Sequence, residues 1–175
     1  FKNMSLSLEH QINKPKTHKG RRIIQNRASK LIENDKNTLL IKGGCTSETV
    51  TKALRNITCL KKPLAQQLKH RNPVLPFEDL SFIEKMCKKY DSSLFILGCH
   101  SKKRPHNLIF GRMYNFELLV MFEVGLLNFK PMEDFLTAKV PVGTKPCLVF
   151  SGSAFEDDEV MKYFKSILID VFRGP

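Results

Sequence analysis

The sequence contains no tryptophan and only three tyrosines, so thirteen phenylalanines supply most of its aromatic surface. Its five cysteines, Cys45, Cys59, Cys87, Cys99 and Cys147, are odd in number and include no Cys-x-x-Cys pair. A disulfide framework and a paired-thiolate zinc site both need regular pairing, so neither is expected, and a reducing compartment is the default. No apolar run approaches the roughly 18 residues of a membrane-spanning helix, and the N-terminal residues lack the charged-then-apolar layout of a signal peptide. No membrane partner is expected. Also absent are the Gly-x-Ser-x-Gly elbow of a serine hydrolase and the Gly-x-x-x-x-Gly-Lys-Ser/Thr loop of a nucleotide-binding enzyme. The densest acidic cluster, residues 156–159, falls at the start of a predicted helix, where carboxylates complement the dipole. No catalytic residue, metal or cofactor is indicated, and the chain is not expected to be an enzyme.

What is present is a globular composition with a lopsided charge. At 175 residues and 42% hydrophobic, the chain can form one domain with a substantial core. Lysine and arginine number 29 against 17 acidic residues, a net of +12. Residues 1–112 hold 23 basic and 8 acidic side chains, net +15, whereas residues 113–175 hold 6 and 9, net −3. A one-sided cationic field attracts a polyanion, because each phosphate neutralised releases condensed counterions. Solubility alone requires less charge than this.

The apolar pattern points to a layered α/β fold. The N-terminal stretch, residues 1–27, is polar, basic and without period; Lys14, Lys16, Lys19, Arg21 and Arg22 fall within nine positions, and Pro15 and Gly20 discourage helix. An extended basic arm is expected there, suited to a phosphate backbone or to nuclear import. Residues 38–42 read as a buried strand closed by Gly43 and Gly44, followed by an N-cap at Thr46 or Ser47 and a helix on Val50, Ala53, Leu54 and Ile57. Residues 63–76 read as a basic loop or broken helix carrying Lys69, His70 and Arg71, and residues 77–90 as a second helix. Strands are expected at 94–97, 108–112, 116–124 and 147–150. A last helix places Val160, Tyr163, Phe164, Ile167, Leu168 and Val171 on one stripe.

Three places invite chemistry. The glycine pair of residues 42–47 joins a strand to a helix N-terminus, where amides can hold phosphate, but no lysine stands at the helix start and a plain turn is the simpler reading. Cys99, His100 and His106 resemble half a metal site without the second pair of ligands. The strongest signal is His-Ser-Lys-Lys-Arg-Pro-His-Asn at 100–107. There Lys102, Lys103 and Arg104 occupy a turn between two strands, with Arg112 close in sequence. Such a turn presents cations to solvent, and arginine forks to phosphate oxygens.

Several phrases resemble the Brix family of ribosome-assembly proteins. They include Lys-Leu-Ile-Glu-Asn at 30–34, Leu-Ile-Lys-Gly-Gly at 40–44, Leu-Lys-Lys-Pro at 60–63 and Pro-Phe-Glu-Asp at 76–79. They continue with His-Ser-Lys-Lys-Arg-Pro at 100–105, Asn-Leu-Ile-Phe-Gly-Arg-Met at 107–113, Gly-Thr-Lys-Pro at 143–146 and Leu-Ile-Asp-Val-Phe-Arg-Gly-Pro at 168–175. The resemblance implies an α/β domain of two similar halves, each related to anticodon-binding domains of tRNA synthetases. It implies work in the nucleus and nucleolus on the large ribosomal subunit, with 5S rRNA and pre-rRNA as ligands. The implied partners are the regulator of ribosome synthesis protein and the ribosomal proteins of the 5S particle.

On this reading residues 1–27 are the arm and residues 28–175 are the Brix domain, its first half with the start of the second. The family pattern continues past Pro175, so exposed apolar surface is expected on this half. RNA contacts are expected at Lys14, Lys16, Lys19, Arg21 and Arg22 in the arm, and at Lys102, Lys103, Arg104 and Arg112. The alternatives are a protein-interaction module without specific RNA binding, and a shortened copy without function.

Overall fold

A computed structural model of the chain describes residues 15–28, 31, 32, 34–136 and 141–173. The chain divides into two compact units, Phe1–Asn34 and Asp35–Pro175. In the first, the expected extended arm is instead helical over α1 (His18–Arg27). The Thr17 hydroxyl caps it, accepting from the Gly20 amide at 3.1 Å. Pro15 lies before the cap, where its missing N–H costs the helix nothing, and Gly20 lies in the first turn. Composition alone obscured both facts.

The second unit is built on a five-stranded sheet ordered β2-β1-β3-β4-β5. Its strands are β1 (Thr38–Gly43), β2 (Ala65–Asn72), β3 (Leu94–Cys99), β4 (Asn107–Tyr114) and β5 (Glu117–Gly125). β1 pairs in parallel with both β2 and β3, and β3, β4 and β5 form an antiparallel meander. Helix α2 (Glu48–Lys61) carries the chain from β1 to β2, and α3 (Ser81–Tyr90) carries it back across β1 to β3. The two helices cover opposite faces, which makes the parallel part doubly wound.

One face packs Leu40, Leu94, Ile96, Leu108 and Phe110 beneath Val50 and Leu54 of α2 and Ile167 and Val171 of a C-terminal helix. The other packs Leu39, Ile41, Phe95, Leu97 and Ile109 beneath Ile83 and Cys87 of α3. The apolar runs at 39–41 and 94–97 are therefore buried on both sides, as strands inside α/β sheets are. Each fully buried leucine or isoleucine contributes about 1.5–3 kcal/mol. α2 lies close against the sheet at Gly98, where an added Cβ would stand 2.5 Å from Val50 Cγ1.

Three elements depart from expectation. The expected basic loop at 63–76 is largely β2, an edge strand whose apolar content is too thin to announce itself; β1 supplies its hydrogen-bond ladder. Helix α3 begins at Ser81 rather than residue 77. Pro76 instead belongs to a turn in which Glu78 and Asp79 amides both donate to the Leu75 carbonyl at 2.9 Å, and the Asp79 carboxylate accepts from the Ser81 amide at 2.9 Å. Residues 147–150 form no strand, because no ladder is available to them; Leu148 and Val149 are exposed, and Phe150 packs on Phe155.

The C-terminal segment is a short helix α4 (Ala154–Asp157) and then α5 (Glu159–Phe172), which Asp158 caps by accepting from the Val160 amide at 2.9 Å. The α5 stripe is buried at Ile167 and Val171 and open to solvent at Val160 and Tyr163. Its C-terminal half is anchored electrostatically. Asp170 accepts from Arg112 at 2.6 Å and from Lys36 at 2.9 Å, and Lys61 donates to the Arg173 carbonyl at 3.0 Å. Burial holds the Lys61 ammonium below the usual lysine range.

Candidate nucleic-acid interface

The turn between β3 and β4 has its own internal scaffold. The Ser101 amide donates to the Arg104 carbonyl at 3.1 Å, and the Ser101 hydroxyl accepts from the Arg104 amide at 3.0 Å. His106 closes the turn in the left-handed region, at φ 51. Its amide donates to His100 Nδ1 at 3.2 Å, and its carbonyl accepts from the Leu126 amide at 2.8 Å.

Two bonds tie this turn to the β1–α2 loop. The His100 amide donates to the Cys45 carbonyl at 2.9 Å, and His106 Nδ1 lies 2.8 Å from the Ser47 hydroxyl. Ser47 is also the cap of α2, accepting from the Val50 amide at 3.2 Å, so its one hydrogen is available to the imidazole nitrogen. The two imidazole rings stand 4.9 Å apart at a 46° tilt. His100 and His106 therefore spend their Nδ1 atoms holding the loop. They do not combine with Cys99 as metal ligands, and among the described residues no group of three or more His, Cys, Asp or Glu is placed to hold a metal ion. Burial, and then the Glu123 carboxylate, pushes the Cys99 thiol up, away from the thiolate form a metal would want.

The cations of the turn divide into two kinds. Lys102 and Lys103 are exposed at its tip, and their side chains have no hydrogen-bond or ion-pair partner among the described residues. Arg104 is exposed too but pairs with Glu123, whose other oxygen accepts from Asn107 at 2.5 Å. Arg104 fastens the turn to β5 with one nitrogen and keeps further donors toward solvent.

Arg112 corrects the sequence reading. It is half-buried beneath α5, donating to Ser166 at 3.0 Å and to Asp170 at 2.6 Å, so it serves the interior rather than the surface. Strand alternation contained that information: residues 110 and 112 share a face, and Phe110 lies in the cluster that α5 covers. In the N-terminal unit, Lys16, Lys19, Arg21 and Arg22 are exposed, three of them on α1. Lys14 lies outside the described residues.

Further residues escaped the sequence reading. Ser47 is the anchor of the turn, but a capping serine carries no signal of a long-range bond. Lys69, His70 and Arg71 stood out only as a basic run; the structure places them at an irregularity in β2. There Leu68 pairs with Ile41 and Arg71 with Lys42, leaving Lys69 and His70 unmatched.

The model of the Brix domain matches residues 43–175. Proteins similar to this chain include the ribosome production factor 2 homologs of Homo sapiens, Caenorhabditis elegans and Schizosaccharomyces pombe. The human protein is 48% identical over 162 residues, covering 93% of this chain and 53% of that protein. The nematode protein is 42% identical over 165 residues, covering 94% and 56%, and the fission yeast protein is 37% identical over 161, covering 92% and 51%. The chain spans about half the length of the curated relatives it matches.

Proposed function

Because this chain belongs to the Brix family, we propose that it is a ribosome-biogenesis factor that binds ribosomal RNA and does no catalysis. The observation that carries this reading is the stapled turn. Lys102 and Lys103 stand unpaired on a loop fixed by Ser101, His100, His106 and Ser47, so little order is lost when a phosphate is met. Phosphate contacts of this kind position a protein on RNA without reading its sequence.

The finer assignment is also a proposal. The chain acts on the large subunit in the nucleolus, within the nucleus, helping to mature pre-rRNA and to load 5S rRNA with its ribosomal proteins. It does so with the regulator of ribosome synthesis protein. In support, the relatives it resembles are named for ribosome production, and its charge is concentrated before residue 113. In the first unit, Lys19, Arg21 and Arg22 add cations on a helix and Lys16 one just before its cap; Lys14 joins them in sequence.

A protein-interaction role has its own observation. Leu127, Leu136 and Val149 are 88%, 104% and 83% exposed, apolar side chains that a protein partner could cover. Co-expression with the regulator of ribosome synthesis protein, followed by titration with 5S RNA across salt, tests both readings. Soluble co-purification with salt-dependent RNA binding that weakens in Lys102→Ala/Lys103→Ala/Arg104→Ala supports RNA engagement. Co-purification with RNA affinity unchanged by that triple substitution refutes it and leaves the interaction module.

A further inference from the structure

We propose that the bulge of β2, carrying Lys69, His70 and Arg71, is a second RNA-backbone contact that forms one phosphate track with the 100–106 turn. The inference deepens the reading of that turn as an RNA contact and rests on it.

The track follows from register and direction. β2, β1 and β3 are parallel, so their carboxyl ends meet at one edge of the sheet. Arg71, Lys42 and Gly98 stand in one row across the three strands. At about 4.8 Å per strand, the β2 end and the β3 end lie about 10 Å apart. The chain leaving β3 enters the turn that carries Lys102 and Lys103, while the chain leaving β2 has just passed the bulge. Both cationic groups therefore border the carboxyl edge of the parallel strands, outside which open α/β sheets place their ligands.

The bulge is built rather than loose. Two residues, Lys69 and His70, have no partner in β1, and such insertions re-aim side chains and collect next to binding sites. Asn72 fixes the local shape: its side-chain amide donates to the His70 carbonyl at 2.8 Å and reaches the Lys42 carbonyl at 3.5 Å. The side chains of Lys69, His70 and Arg71 are exposed and have no hydrogen-bond or ion-pair partner among the described residues. Along the chain no carboxylate lies between Lys42 and Ser47; beyond it Glu48 is engaged by Lys52 at 2.8 Å, and Asp134 lines the same pocket at the start of α2. The occupant is a polyanion, and the unpaired lysines of the turn extend the same surface along a backbone, which favours RNA over a short acidic peptide.

Charges on an edge strand also guard against sheet-to-sheet pairing. That role predicts a different outcome, and one experiment separates the two. Binding of a short RNA hairpin to the full chain is measured by fluorescence anisotropy across a potassium chloride series. The variants are Lys69→Ala/Arg71→Ala, Lys102→Ala/Lys103→Ala and, as a control of equal charge, Lys130→Ala/Lys145→Ala. The track predicts that the bulge variant lowers the slope of log affinity against log salt by about one per contact, about two in all. The turn variant does the same, and the control changes it by much less. If the turn variant lowers the slope and the bulge variant matches the control, the inference fails while the turn stands. If neither lowers it beyond the control, both fail. Self-association of the bulge variant with unchanged RNA affinity assigns the charges to edge protection and overturns the inference. Loss of polyglutamate binding with RNA binding intact assigns them to an acidic protein and overturns it equally. The substituted residues are exposed, and a thermal melt equal to wild type verifies the fold of each variant.

Discussion

Asp170→Ala removes the acceptor that holds α5 to the sheet. The carboxylate receives Arg112 at 2.6 Å through one oxygen and Lys36 at 2.9 Å through the other, and its side chain is only 14% exposed. Truncation leaves the Arg112 guanidinium, 21% exposed, with Ser166 alone, and its Nε is already buried without a partner. Breaking a fully buried ion pair on one side costs about 3–5 kcal/mol. Lys36, 32% exposed, turns back to water and recovers part of that, so about 2–3 kcal/mol is expected. For a chain of this size the melting temperature should fall by about 5–10 °C. Asp170→Asn keeps one acceptor oxygen and should lose roughly half as much, while Asp170→Leu with Arg112→Met should lie close to wild type, because the less buried Lys36 turns to water and no charge stays trapped beneath α5. Amide exchange should quicken first in α5. The slope of RNA affinity against salt should not change in Arg112→Met, since that guanidinium faces the interior. A shift below about 2 °C for Asp170→Ala, or an altered salt slope in Arg112→Met, would refute the assignment of Arg112 to the interior.

Further expectations are simpler to check. Gly111→Ala should cost about 1–3 kcal/mol in chemical denaturation, because the ring of Phe95 fills the space a Cβ would need and is itself buried in the α3 face. Native thiol titration should detect Cys45, Cys59 and Cys147, which are exposed, and should reach Cys87 only on unfolding. Burial pushes the Cys87 thiol from 9.0 up to about 12, so the native state holds its proton longer than the unfolded chain does. Stability should therefore fall as pH rises between those values, and a Cys87→Ala variant should show a shallower fall. His106→Ala frees the turn from Ser47, and RNA binding should weaken by about 1 kcal/mol, or about fivefold, through lost order. Unchanged affinity would show that the staple is irrelevant to binding.

The sheet's central strands were legible because their residues are apolar on both faces, at 39–41 and 94–97, and no other element satisfies such short uninterrupted runs. The α2 boundaries were legible too: Ser47 is the residue type a cap requires, and Pro63 stands just past the last helical turn, which it cannot continue. β2 was not, because Ala65 and Leu68 are its only aliphatic residues and its place comes from the ladder of β1. Helix α1 hid behind Pro15, which marks a helix boundary as readily as it breaks a helix. The apolar residues at 148–150 suggested a strand, yet a strand is a property of a pair, and pairing is not written locally. At the site, serine and proline flanking Lys102–Arg104 announced a turn, whereas the bonds that stiffen it join residues far apart in sequence, Ser47 to His106 and Arg104 to Glu123. Proximity along the chain groups Arg112 with the turn, although its strand face assigns it to α5.

The most direct measurement is ultraviolet crosslinking of the chain to 5S RNA, with the nucleotide adducts located by mass spectrometry. Adducts are expected on the peptide spanning residues 100–106. Adducts confined to α5 or to residues 126–150, or none above those on a protein of equal charge, would refute the turn as an RNA contact.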